Sequence, residues 1–151
     1  MRRKIYFVLM LIWMGVIFWF SAQPAEKSTQ TSLHVGRLVC GIFVRDYEEL
    51  SAAEQTTLAE NIEFPVRKAA HASEYALLGI LIFGVVRKKE MTKRQMLCAI
   101  VITALYAASD ELHQLFVPGR SCQLRDVLID TAGAVAGVGI SYIILRHFRK
   151  N

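Results

Sequence analysis

Six acids and histidines stand inside otherwise apolar sequence: His71, Glu74, Asp110, His113, Asp126 and Asp130. A buried ionisable group in a membrane costs roughly 2.5–3.5 kcal/mol even on lenient insertion scales, so each calls for a reason. A histidine beside a carboxylate is the usual pair for general acid–base work near neutral pH. Arg67, Lys68, Arg120 and Arg125 lie close by in the chain and could clamp a phosphate, since a guanidinium matches its oxygens two at a time. Gln114 adds a hydrogen-bonding amide. His71, Glu74, Asp110 and His113 also supply nitrogen and oxygen ligands suited to a divalent metal ion. Acid–base catalysis, anion binding and metal binding are therefore all open to this set. So is a plain structural use, in which Arg67 or Lys68 pairs with Asp126, His71 bonds Asp110, and the polar groups brace a bundle.

Spacing groups these residues. Arg67, His71 and Glu74 stand at i, i+4 and i+7, one stripe of one helix. Asp110, His113 and Gln114 stand at i, i+3 and i+4, and Asp126 and Asp130 at i, i+4. His71 precedes Arg87 by 16 residues, Asp110 follows Arg94 by 16, and Asp130 precedes Arg146 by 16. At about 1.5 Å per residue, each sits some 24 Å from a basic boundary, in the far quarter of a hydrocarbon layer about 30 Å thick. Three helices thus carry titratable groups at one level, and a polar pocket opening on one side is expected there.

The elements that must hold them are apolar blocks. The chain has 151 residues, 54% hydrophobic and 21% charged. Disorder and disulfide scaffolds are excluded by that balance, and one domain over 1–151 is expected. Four blocks approach the length of a membrane span: 5–22, 69–86, 97–112 and 127–145. The expected fold is an all-α, polytopic bundle of four transmembrane helices with one long extracytoplasmic loop. Ile5–Ala22 reads as an uncleaved anchor, because cleavage after Ala22 would put bulky Phe20 where a small residue is wanted. Pro65 suits the first turn of the second span, and Ser51–Glu54 has the form of a capping box for a short helix over 52–60. Gly36–Val44 reads as an interfacial or re-entrant piece. Tyr75 and Tyr106 read as interface anchors, Glu111 and Gln114 as groups meeting solvent. A Cys40–Cys122 disulfide is left open, since spacing cannot supply its geometry.

The net charge of +5 is a matter of topology. Eleven of the 18 basic residues lie before the first block, between the second and third, or after the fourth. Lysine and arginine favour the cytoplasmic side, so both termini are expected there and no nucleic-acid partner is indicated.

Three strings carry a resemblance. Arg67-Lys68-x-x-His71-x-x-Glu74-Tyr75, Ser109-Asp110-Glu111-x-His113-Gln114-x-Phe116-x-Pro118-Gly119-Arg120 and Asp126-x-x-x-Asp130-x-x-Gly133 are similar to those of the VanZ-like family of teicoplanin-resistance membrane proteins. Phe20-Ser21-Ala22-Gln23-Pro24 resembles its exit from the first helix. The resemblance implies a four-helix protein of the bacterial cytoplasmic membrane, linked to the cell envelope and in some members to tolerance of lipoglycopeptides such as teicoplanin. Partners in keeping with it are the lipid bilayer and an anionic lipid-linked wall precursor or a lipoglycopeptide. It brings no biochemical mechanism, so enzyme, non-catalytic binder and scaffold all remain open.

Overall fold

The computed structural model describes residues 1–88, 90 and 92–148. Lys89, Arg149 and Lys150, counted above among the basic residues, lie outside these. Five α-helices follow one another: α1 (Arg2–Ser21), α2 (Ala25–Phe43), α3 (Ala52–Val86), α4 (Lys93–Gln114) and α5 (Leu124–His147), with a 3-10 turn at Tyr47–Glu49 before α3. Four of them, α1, α3, α4 and α5, are long and apolar enough to cross a membrane. Their outer faces carry Ile12, Trp19, Leu105, Leu128 and Ile143, each more than half exposed. Such faces suit lipid, where helices already satisfy their own backbone groups. The chain is a multi-pass membrane protein.

The axis of the bundle is α3, against which every other helix packs. Its contact with α5 is the closest. A Cβ at Gly133 would overlap the Ala72 carbonyl oxygen, and one at Gly137 would overlap that of Ala76. Gly79 faces Ala134 from the other side, 3.1 Å from where its Cβ would stand to the Ala134 oxygen. Small residues at helical spacing thus let two backbones touch, which lipid alone would not drive. Two hydrogen bonds tie α1 on: Trp13 Nε1 donates to the Glu74 carbonyl at 2.9 Å, and the Tyr106 hydroxyl to that of Met14 at 2.7 Å.

The stretch 23–64 is not a loop. Most of it is helix α2 and the first turns of α3, joined through the Tyr47–Glu49 turn. Gly36–Val44, expected as a re-entrant piece, is the second half of α2 and its C-cap. The buried stripe of α2 is Ser32, Gly36 and Cys40, at i, i+4 and i+8. Gly36 meets α3 at Ala59, whose carbonyl oxygen is 3.3 Å from a Cβ built there. The capping box forms as expected, with the Glu54 carboxylate accepting from Ser51 N at 2.9 Å and the Ser51 hydroxyl accepting in return from Glu54 N.

From that cap the helix runs 35 residues without a break, so the short helix expected over 52–60 and the second span are one element. At 1.5 Å per residue α3 is about 52 Å long, well past a hydrocarbon core of about 30 Å. Pro65 lies inside it, not in a first turn. A helix interior tolerates proline at a cost of about 3 kcal/mol, offset here by the packing of α2 along the preceding turns. All three cysteines are free, which removes the Cys40–Cys122 bridge. Tyr75 is fully buried rather than at an interface.

Candidate functional site

The far end of the bundle from the termini collects the ends of α1 and α4 and the start of α5 beside the middle of α3. Residues Val117–Arg120 form the key turn. Arg120 N donates to the Val117 carbonyl at 3.1 Å, with Pro118 second and Gly119 third in the turn. Gly119 has φ +73°, the left-handed value that a type II turn demands and that glycine adopts without strain. The turn is docked by Ala25 N, which donates to the Pro118 carbonyl at 3.2 Å. It returns Arg120 over α1, where its Nε donates to the Gln23 carbonyl at 3.2 Å.

Beside it, α3 supplies Arg67, Lys68, His71 and Glu74 from one face. Lys68 Nζ meets Asp126 Oδ2 at 2.5 Å, joining α3 to the first turn of α5. Arg67 Nε lies 3.5 Å from Glu63 Oε1 on its own helix, and His71 Nδ1 3.8 Å from Glu74 Oε2. These side chains enclose two adjoining cavities. One, about 180 Å³, is lined by Arg67, Lys68, His71, Gln114, Arg120 and Asp126. The other, about 200 Å³, lies toward α1 and α2 and adds Phe20, Ser32 and Glu74. Arg67, His71 and Arg120 form the wall between them. Burial and the neighbouring Arg67 push the Arg120 guanidinium below its ordinary value, while Asp110, Glu111 and Glu74 pull it back; an arginine stays charged throughout.

Other expected residues take different positions. Asp110 and Asp130 are 5% and 3% exposed and line neither cavity. Gln114, itself buried, donates from Nε2 to Asp110 Oδ2 at 3.3 Å and stands between that acid and the first cavity. Ser21 and Tyr75 surround the same carboxyl. His71 makes no hydrogen bond to Asp110; its Nδ1 faces Glu74 Oε2 at 3.8 Å, beyond hydrogen-bond reach. His113 lines neither cavity and stacks on Phe18, ring centroids 4.5 Å apart. Arg125 lies over the Phe64 ring at 4.9 Å. Glu111 and Gln114, expected in solvent, are both buried, because each has work inside: Glu111 Oε2 accepts from Gln123 N at 2.9 Å and caps α5. Among the described residues no three of His, Cys, Asp or Glu gather closely enough to hold a metal ion. The ligand set His71, Glu74, Asp110 and His113 is therefore not gathered at one point.

Sequence reasoning missed Ser21, Gln23 and the α2 hydroxyls. Gln23 acts through its backbone carbonyl, which leaves no mark in residue type. The Phe20–Pro24 string did point at this elbow.

The profile of the VanZ/LLP1 family matches residues 6–146. The chain belongs to that family. In this VanZ/LLP1 member the three polar strings lie at one end of the bundle and all border the cavities, the third through Asp126 before it runs on to the Gly133 contact. No curated protein matches it. No solved structure matches it either.

Proposed function

We propose that this VanZ/LLP1 protein binds the anionic headgroup of a lipid-linked cell-wall precursor at the outer face of the bacterial cytoplasmic membrane, and so lowers susceptibility to lipoglycopeptides such as teicoplanin. The observation that carries this is the convergence of Arg67, Lys68 and Arg120 on one cavity. Lys68 and Arg67 each have a carboxylate partner, whereas Arg120 is held by a carbonyl oxygen and has none within ion-pair distance among the described residues. A guanidinium fixed in place with its remaining N–H groups unmatched by charge suits a phosphate. The excess of basic residues at the opposite end supports an outward-facing cavity, with both termini cytoplasmic.

A second reading, turnover of the same headgroup, draws on His71, which shares the cavity and has Glu74 beside it as an orienting acid. The two are separated by one experiment. Purified protein in nanodiscs is titrated with a short-chain polyprenyl phosphate, and then incubated with it while free phosphate is assayed. Saturable binding that falls about tenfold or more in Arg120→Lys, with no product, supports the binder. Product release supports turnover, and no binding at all overturns both.

A further inference from the structure

Behind the cavities lies a second polar centre, built from one residue of each of the four spans. Ser21 ends α1, Tyr75 stands within α3, Asp110 is one turn from the end of α4, and Asp130 lies in the second turn of α5. All four are buried, Tyr75 at 0% and Ser21 at 1% exposure. The backbone contact of Gly133 with Ala72 sets their level, since Asp130 stands three residues before Gly133 and Tyr75 three past Ala72. A long side chain on a helix leans toward its own N-terminus, which carries the Tyr75 hydroxyl back toward both acids. Ser21 and Tyr75 flank the Asp110 carboxyl, while Gln114 donates to its Oδ2.

Neither hydrogen bonds nor charges are matched within this centre. The Ser21 and Tyr75 hydroxyls and the Oδ1 atoms of Asp110 and Asp130 are each buried without a partner. Two hydroxyl donors and two carboxylate acceptors could satisfy one another, yet they stand apart. Among the described residues no basic side chain lies within ion-pair distance of either acid. Lys68 is taken by Asp126, and Arg120 by the Gln23 carbonyl. An uncompensated carboxylate at membrane depth is costly. A water among the four oxygens would complete their hydrogen bonds and leave the charge. Protons on the acids would draw the oxygens together in O–H···O bonds, and none of the four makes one. A cation answers both needs. Zinc and copper are disfavoured where oxygen is the only ligand atom, and a hard ion is favoured. Magnesium demands a near-ideal octahedron and keeps its water, whereas calcium accepts irregular oxygen cages. Sodium is close to calcium in size and shares that tolerance.

We propose that Ser21, Tyr75, Asp110 and Asp130 form a site for a hard cation, calcium or sodium, that ties the four spans together behind the cavities. The site stands independently of what the cavities bind.

The test is thermal unfolding of the protein in phosphatidylcholine nanodiscs, in choline, sodium or calcium chloride at matched ionic strength. Choline is too large to enter such a site. Calcium or sodium should raise the midpoint by about 5 °C or more at a hundredfold excess over Kd. A rise in sodium that persists with a chelator present identifies sodium, and a rise in calcium that the chelator reverses identifies calcium. Tyr75→Phe and Ser21→Ala each remove one ligand oxygen and little volume. Each should raise the half-saturating cation concentration about tenfold or more. In choline neither should melt below wild type, because the hydroxyl has no protein partner to lose. Hydroxyls with a merely structural role would lower the midpoint equally in all three salts, which overturns the site. A midpoint indifferent to the cation overturns it too, including one that rises only as the pH is lowered, which gives the cluster to protons. A cation effect that survives both substitutions and Asp110→Asn places the ion elsewhere and overturns the assignment.

Discussion

Lys68 Nζ and Asp126 Oδ2 are 2.5 Å apart, with each side chain less than a fifth exposed. This pair pins the middle of α3 to the first turn of α5 at the mouth of the cavity. Breaking a buried pair from one side leaves an uncompensated charge, which costs up to roughly 3–5 kcal/mol. Lys68→Met should therefore lower the melting temperature in detergent markedly. Lys68→Met combined with Asp126→Leu should recover most of that loss without recovering phosphate binding. A double variant as unstable as the single one would mean that the pair is not what holds these helices together.

Close contact between α3 and α5 makes a second expectation. Gly133→Ala would press a methyl into the Ala72 carbonyl, and overpacking of this kind costs about 1–3 kcal/mol. Gly139 lies on the same helix with nothing within 4 Å of a built Cβ. Gly139→Ala should be neutral or stabilising by up to about 1 kcal/mol, as expected for replacing a helical glycine. Thermal unfolding of the two variants side by side checks this, and equal loss in both would contradict the packing described.

The apolar spans were legible and rotation about each helix was not. The four spans announced themselves through long apolar runs, and the 16-residue offsets put His71, Asp110 and Asp130 at one level. Those offsets say nothing of azimuth. Asp110 turned out to lie behind Gln114 and Asp130 to be buried, neither along the cavity wall, and Tyr75 is buried in the core. Helix α2 escaped notice because its buried stripe is Ser32, Gly36 and Cys40, which carry little hydropathy. Pro65 misled for a related reason. Locally it favours a first turn, and only the packing of α2 on α3, between segments distant in sequence, keeps the helix continuous through it.

Sidedness is checked with single cysteines in a background lacking Cys40, Cys98 and Cys122. Gln30 and Ser121 are exposed at the cavity end, Lys88 at the end holding the termini. With the basic excess cytoplasmic, an impermeant thiol reagent on intact cells should label Gln30→Cys and Ser121→Cys and spare Lys88→Cys. The opposite pattern would turn the cavity toward the cytoplasm and remove the outer-leaflet ligand from consideration.

Drug tolerance in cells separates charge, geometry and chemistry at the site. Arg120→Lys retains the positive charge but loses the planar fork, and Lys cannot hold both the Gln23 carbonyl and a phosphate in the same arrangement. Tolerance to teicoplanin should drop to that of cells without the protein, while the folded amount in the membrane stays within about twofold of wild type, since Lys keeps the charge and a similar length. The loss should be smaller for vancomycin, which lacks the acyl chain that seats teicoplanin at the bilayer. Asp130→Asn then decides between binding and turnover. Its carboxylate lies behind the cavity, 3% exposed, and Asn keeps its size. Replacing a buried acid behind an anion site by an amide of the same size does not weaken attraction for a phosphate, so a binder keeps its tolerance. Loss of tolerance at unchanged abundance would mean that the buried acids take part in proton transfer, and the binder would give way to an enzyme.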